Sequence, residues 1–315
     1  MKDVTIVLQG VVHPTQIELW KKNHKNSKVI ISTWEDCKFN FKGWLPKNWK
    51  LLINPYPLLR FAPTANLDYQ IISTLKALYE VDTKWVIKMR ADEYYSNLDK
   101  VFTKMKRSPE KLISSSMFFR KFGMYKFHCS DKLLGGTTDN LLGMFESTLH
   151  NLEMKLWDSK CPESQLGLGY VMCKDSTIDI TQINKTSSDF GQKFIEEHGI
   201  NTFTTAGNTI SSEIMKVVTD ELSKRNNGDI DWNSINNYVS RWNSILNECL
   251  NVINNHKNEW LDDRPYMKKW FDIIDINELK PYISTRNFGD WKGRVWYKDN
   301  FDNKEEECIT DIEKY

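Results

Sequence analysis

Residues 66–93 read NLDYQIISTLKALYEVDTKWVIKMRADE, and the apolar period changes midway. Ile71, Leu75 and Leu78 recur at helical spacing behind Asn66, a residue type that caps helix starts. Trp85-Val86-Ile87 then form a compact apolar run that continues through Lys88-Met89 to Arg90 and stops at Ala91-Asp92-Glu93. A helix feeding a strand with a polar end is half of a strand–helix–strand unit. The same grammar extends in both directions. Towards the N-terminus, residues 4–8 read as a strand stopping at Gln9-Gly10, and 15–23 as a helix offering Ile17, Leu19 and Trp20 for packing. A second strand at 29–31 ends in Ser32-Thr33-Trp34-Glu35, and a third at 50–53 closes at Asn54-Pro55. Pro57 and Pro63 hold the next loop extended. Towards the C-terminus, residues 98–105 read as a helix, Leu112-Ile113 open a strand and 133–138 form another. Asp139 or Asn140 then caps a helix running towards Trp157. This alternation predicts an α/β fold with a mostly parallel central sheet and helices on both faces. Ligands of such sheets bind at the carboxyl ends of the strands.

After residue 185 the composition shifts. Residues 186–265 are rich in Asn, Ser, Lys and Glu and read as helical, with one stripe at Ile214, Val217, Val218 and Leu222 and another at Tyr238, Trp242, Ile245, Leu246 and Leu250. Residues 270–274 return to strand-like composition, and the tail from Phe301 is acidic. The expected organisation is therefore an α/β domain at 1–185 and a mainly helical C-terminal extension at 186–315 that packs on it.

The 315 residues carry 43 basic and 42 acidic side chains, a net charge of +1. No overall basic field exists to gather nucleic acid. No stretch approaches the roughly 20 apolar residues of a membrane span. The apolar run at 4–8 is too short for a signal-peptide core. The expectation is a cytoplasmic protein, with peripheral membrane association left open. The six cysteines are scattered with no CxxC pair, which argues against a zinc ribbon and for reduced thiols. Walker A, GxGxxG, G-x-S-x-G and H-E-x-x-H strings are all absent.

Four strand ends supply polar clusters: Gln9-Gly10, Trp34-Glu35, Arg90 with Asp92 and Glu93, and His128 with Asp131. Gly10 lets a ligand approach the backbone. Trp34 offers a stacking ring beside the Glu35 carboxylate. Asp92 and Glu93 are hard oxygen donors suited to Mg²⁺ or Mn²⁺, and Arg90 suits a phosphate or a sugar hydroxyl. An Arg90–Glu93 surface salt bridge is the plainer reading. Asn66 and Gln70, four apart, share one helix face, where they can orient a sugar, although helix capping alone accounts for Asn66. Pro162 and Glu163 suit the first turn of a helix. Glu163 also suits a general base that takes a proton from an acceptor hydroxyl.

In order along the chain, Ile6 to Gly10, Ile31 to Glu35, Asn66 with Gln70 to Thr74, Ile87 to Asp92, Ser130-Asp131, Gly135 to Asp139 and Pro162 to Gln165 resemble the WavE lipopolysaccharide-synthesis family of glycosyltransferases, which has members in large DNA viruses. Lys88-Met89-Arg90-Ala91-Asp92 looks like that family's K-x-R-x-D signature. The resemblance covers roughly the first 180 residues, with a weaker echo at 270–279. It implies a GT-A-like nucleotide-diphospho-sugar transferase fold. It also implies transfer from a nucleotide-sugar donor to a glycan or lipid-linked acceptor, assisted by Mn²⁺ or Mg²⁺, in cell-surface or virion polysaccharide synthesis. On that reading Gln9, Gly10, Trp34, Glu35, Asn66, Gln70, Lys88, Arg90 and Asp139 bind the donor, and Asp92 and Glu93 hold the metal. Glu163 and Asp131 are the catalytic carboxylates. Two departures stand out: Tyr69 occupies the position of an expected arginine, and the acidic motif is A-D-E rather than D-x-D. A non-catalytic glycan-binding protein on the same scaffold, or a sugar nucleotidyltransferase, are the alternatives. The second lacks the Gly-rich basic loop it would need after the first strand.

Overall fold

The computed structural model describes residues 3–12, 14–37, 44–57, 66–116, 119, 126–154, 156, 161–178, 240, 262–279 and 281–283. The chain divides into two units, Met1–Ile178 with Asp263–Tyr315, and Asp179–Asp262, and the described strands and helices lie in the first. The helical stripes expected at 214–222 and 238–250 fall outside the described residues, apart from Ser240.

The main sheet contains β1 (Val4–Gln9), β2 (Lys28–Trp34), β3 (Trp49–Asn54), β4 (Trp85–Arg90), β6 (Leu112–Ser115), β7 (Leu133–Thr137) and β8 (Phe271–Ile274). Their spatial order is β3-β2-β1-β4-β7-β6-β8. β1 lies parallel to both β2 and β4, and β2 lies parallel to β3. β7 is antiparallel to β4 and to β6, while β6 and β8 are parallel. β7 is therefore the one reversed strand in a mostly parallel sheet. Every residue of β1 is buried, as expected of a central parallel strand covered on both faces. A second, two-stranded sheet pairs β5 (Glu93–Tyr95) with β9 (Pro281–Ile283). Because β8 joins the edge of the main sheet, that sheet draws on residues from both sides of the boundary expected near 185.

The helices are α1 (Pro14–His24), α2 (Leu67–Leu78), α3 (Leu98–Arg107), α4 (Thr138–Glu153), α5 (Pro162–Lys174), α6 (Arg264–Trp270) and α7 (Ile276–Leu279). Strand alternation assigns them to faces. Gly135 abuts Val101 and Met105 of α3, and Gly136 abuts Leu141 of α4. Ile87, the partner of Gly135, therefore faces α3. Lys88, one residue on, faces the α4 side. On the α3 side Ile6, Leu8, Ile31, Ile87 and Met89 join Ile17 and Trp20 of α1 and Val101 and Met105 of α3 in one apolar core.

Two helix starts differ from the sequence expectation. Thr137, rather than Asp139 or Asn140, caps α4, its hydroxyl accepting the Asn140 N–H at 3.2 Å. Asn66 does precede α2, but it sits in a left-handed conformation at φ 58° and makes no side-chain cap bond. Among the described residues, no helix is long and apolar enough to cross a membrane.

Candidate functional site

Between β1 and β4 the strand order changes direction, and their carboxyl ends meet: Gln9 is the register partner of Ser32 on one side and Arg90 on the other. α2 begins above this edge. The Gln9 amide donates to Ser73 Oγ at 2.9 Å, the Ser32 hydroxyl to the Ser73 carbonyl at 2.7 Å, and the Asn54 amide to Ser32 Oγ at 2.8 Å. These small buried polar groups satisfy one another and fix the middle of α2 over β1 and β2. Gly10 follows with φ +104°, a conformation that L side chains rarely adopt, and its N–H donates to the Ser32 carbonyl at 2.9 Å.

β4 delivers the charged part of the site. Arg90, about a third exposed, donates from Nε and Nη2 to the two oxygens of Asp92 at 3.0 and 2.8 Å, and lies 3.5 Å from Glu93 Oε1. Burial works against the Arg90 charge, but the Asp92 bonds and the nearby carboxylates outweigh it and hold the guanidinium above its ordinary pKa. Glu93 is 1% exposed; its Oε2 accepts the Tyr95 hydroxyl at 2.7 Å and its Oε1 lies 3.3 Å from Lys132 Nζ. Burial pushes the Glu93 carboxyl up, and Lys132 and Arg90 pull it back. Lys88 is wholly buried. Burial lowers its ammonium to about 8, and it donates to the Asp131 carbonyl at 3.0 Å.

The reversed β7 brings the residues before its first strand position to the same edge. Asp131 Oδ2 accepts from the Gln70 amide at 2.8 Å. Burial would raise its pKa, but Lys132, Lys88 and Arg90 together hold it below the usual value. Glu163, in the first turn of α5, is pushed up by burial and then by the charge of Asp131. Gln9, Gly10, Gln70, Lys88, Arg90, Asp92, Glu93, Asp131 and Glu163 thus gather at one edge, with Asn66 one turn before Gln70.

Three expected donor contacts look different in place. Asp139 is exposed at the opposite edge: its neighbour Thr137 pairs with Trp85, the first residue of β4, about 17 Å along that strand from Arg90. The reversal of β7 is the cause. Trp34 is 3% exposed and its ring lies flat against Tyr56, centroids 4.9 Å apart at 7°, with Tyr69 tilted against both. The partly accessible rings are therefore Tyr56 and Tyr69. Glu35 is exposed and accepts the Tyr56 N–H at 3.3 Å.

Asp92 and Glu93 were expected to hold Mn²⁺ or Mg²⁺. Such ions need several oxygens at about 2.1 Å. Here both oxygens of Asp92 receive Arg90, and those of Glu93 serve Tyr95, Lys132 and Arg90. As arranged, these carboxylates are neutralised by protein cations and do not fit a hard dication. Sequence reasoning passed over Lys132 and Tyr95. Tyr95 carried a signal, since residues two apart on a strand share a face.

A model of the WavE lipopolysaccharide synthesis family matches residues 15–182, more than half of the chain. Among curated proteins there is no match.

Proposed function

The chain belongs to the WavE lipopolysaccharide synthesis family, and from that premise we propose that it is a glycosyltransferase that takes a sugar from a nucleotide-sugar donor. The observation that carries this reading is the set of cations held in place by carboxylates at the carboxyl edge. Arg90 and Lys132 lie beside Glu93, and Lys88 stands behind Asp131. Ligands of open α/β sheets sit at such a change of strand order. A guanidinium held by Asp92 and Glu93 and still a third exposed is oriented to offer its remaining N–H groups to a diphosphate. The space beside Gly10 is open, since a Cβ there would meet nothing within 4 Å. Tyr56 and Tyr69 offer ring faces to a nucleobase, and Glu35 a carboxylate to a ribose.

The leaving diphosphate gains negative charge in the transition state, which Arg90 and Lys132 stabilise without reorganising. Asp131, ionised and held by Gln70, faces the positive charge that develops on the anomeric carbon. Glu163 stands beside Asp131 on the acceptor side. The acceptor is a glycan or a lipid-linked glycan, and the product enters lipopolysaccharide or a related polysaccharide.

The test is a thermal-shift and turnover panel of UDP-, GDP-, CMP- and dTDP-sugars, each with Mn²⁺ or with EDTA. A ligand that binds only the folded chain raises its melting temperature. One donor should stabilise the protein and be slowly hydrolysed, and Arg90→Met should lower that turnover by roughly 100-fold or more. No response to any donor sinks the reading, and glycan binding without donor turnover replaces it with a binding module.

A further inference from the structure

His128, Cys161 and Glu163 come from two separated segments, yet one donor atom from each lies within 4.8 Å of the others. They form an imidazole–thiol–carboxylate set, a combination of nitrogen, sulfur and oxygen donors that suits zinc and not the hard ions that seek oxygen alone. The two segments are fixed against each other. Phe127 holds a left-handed φ of 53°, costly for an aromatic residue, and so turns the chain immediately before His128. A Cβ at Gly167 would fall 1.8 Å from the Phe127 carbonyl, so glycine permits this close approach of α5. The Cys129 thiol lies 3.5 Å from the Glu163 carbonyl, and the Cys161 thiol 3.3 Å from Glu163 Oε2. Cys161 precedes Pro162 at the first position of α5, which stiffens the turn carrying two of the three donors.

We propose that His128, Cys161 and Glu163 bind a zinc-type dication that ties the start of α5 to the segment before β7. Ligand bonds of about 2.0–2.3 Å place tetrahedral donors roughly 3.5 Å apart, so about 1 Å of closure completes the site. Three protein ligands leave a fourth position for water or another oxygen ligand, as in catalytic zinc sites. Glu163 is then a metal ligand beside Asp131, a different role from the unaided base expected from the sequence. The proposal does not depend on the transferase reading, because its test uses no sugar.

The reduced full-length protein is stripped with a chelator, reloaded with Zn²⁺ or Co²⁺, and dialysed. The expected result is about one metal per chain and a thiolate-to-cobalt charge-transfer band. Cys161→Ser should abolish that band, His128→Ala should weaken zinc binding at least about 10-fold, and Cys173→Ser should retain both. Should Cys161→Ser fail to fold, the wild-type protein still answers: zinc should slow alkylation of Cys161 and leave the exposed Cys173 unchanged. A wild-type protein without the cobalt band, or equal alkylation of Cys161 with and without zinc, overturns the proposal.

Discussion

The two edges of the central sheet carry similar residue types to opposite ends. At the edge where β4 starts, Lys28 meets Asp82 at 2.8 Å and Lys50 meets Glu80, with all four side chains between 44% and 71% exposed. At the edge where β4 stops, Arg90, Lys132 and Lys88 meet Asp92, Glu93 and Asp131, and the Asp92 and Glu93 side chains are only 7% and 1% exposed. Water screens the first set, and either partner can leave it cheaply. The second set has exchanged water for protein partners, so each member depends on the others. A charged residue at a strand end is thus informative only once its burial is known.

The sharpest way to break that contrast is to empty one buried position. Glu93→Ala leaves Lys132 and Arg90 without their shared partner, and should cost about 3–5 kcal/mol in denaturant unfolding; a loss as small as that of a surface pair would erase the distinction. Lys88→Met probes the same edge through pH. Burial lowers the Lys88 ammonium to about 8 from 10.5, so the folded state disfavours the charged form. That penalty is complete below about pH 8 and fades as the pH rises towards 10.5. Lys88→Met removes that penalty and, with it, the buried counter-charge of Asp131, so wild type should gain up to about 3 kcal/mol on the variant between pH 8 and 10.5, while transfer falls because Asp131 loses its brace. A gap independent of pH would show that the lysine charge is not the source. At the smallest end, Lys50→Ala at the solvated edge should shift stability by no more than about 0.5 kcal/mol.

Much of this edge was legible in the sequence. The apolar runs of β1 and β4 and the spacing of Ile71, Leu75 and Leu78 fixed the alternation, and strand ends pointed to Gln9, Arg90 and Asp92. Strand direction was not legible, because β7 reads the same whichever way it runs. Asp139, which the resemblance put among the donor-binding residues, therefore lies at the far edge. An Arg90–Glu93 salt bridge was the plainer reading of the sequence, but adjacency could not show that Arg90 would also clasp Asp92, or that Glu93 would be buried rather than at the surface. Burial and the arrival of Lys132 from the segment before β7 decide that, and both are properties of the assembled fold. His128 and Cys161 were each visible, but their meeting depends on how α5 packs against Phe127, which no local pattern encodes.

The late return of β8 has a consequence in time as well as in space. Leu112 of β6 finds its partner Phe271 only after all of residues 113–270 have been made. Until then β6 is an outer strand with an unclaimed row of backbone groups, a template for pairing with another chain. Lys104, whose ammonium reaches Asp272 at 3.0 Å, and Ser116, whose N–H reaches the Ile274 carbonyl at 2.9 Å, wait for the same segment. Closing so long a span adds little to the equilibrium cost, but it delays completion of the sheet during synthesis. The segment matched to the family ends at residue 182, so the sheet takes its last strand from outside that segment. On the ribosome, the sheet that carries the candidate site closes only once residues 271–274 have emerged.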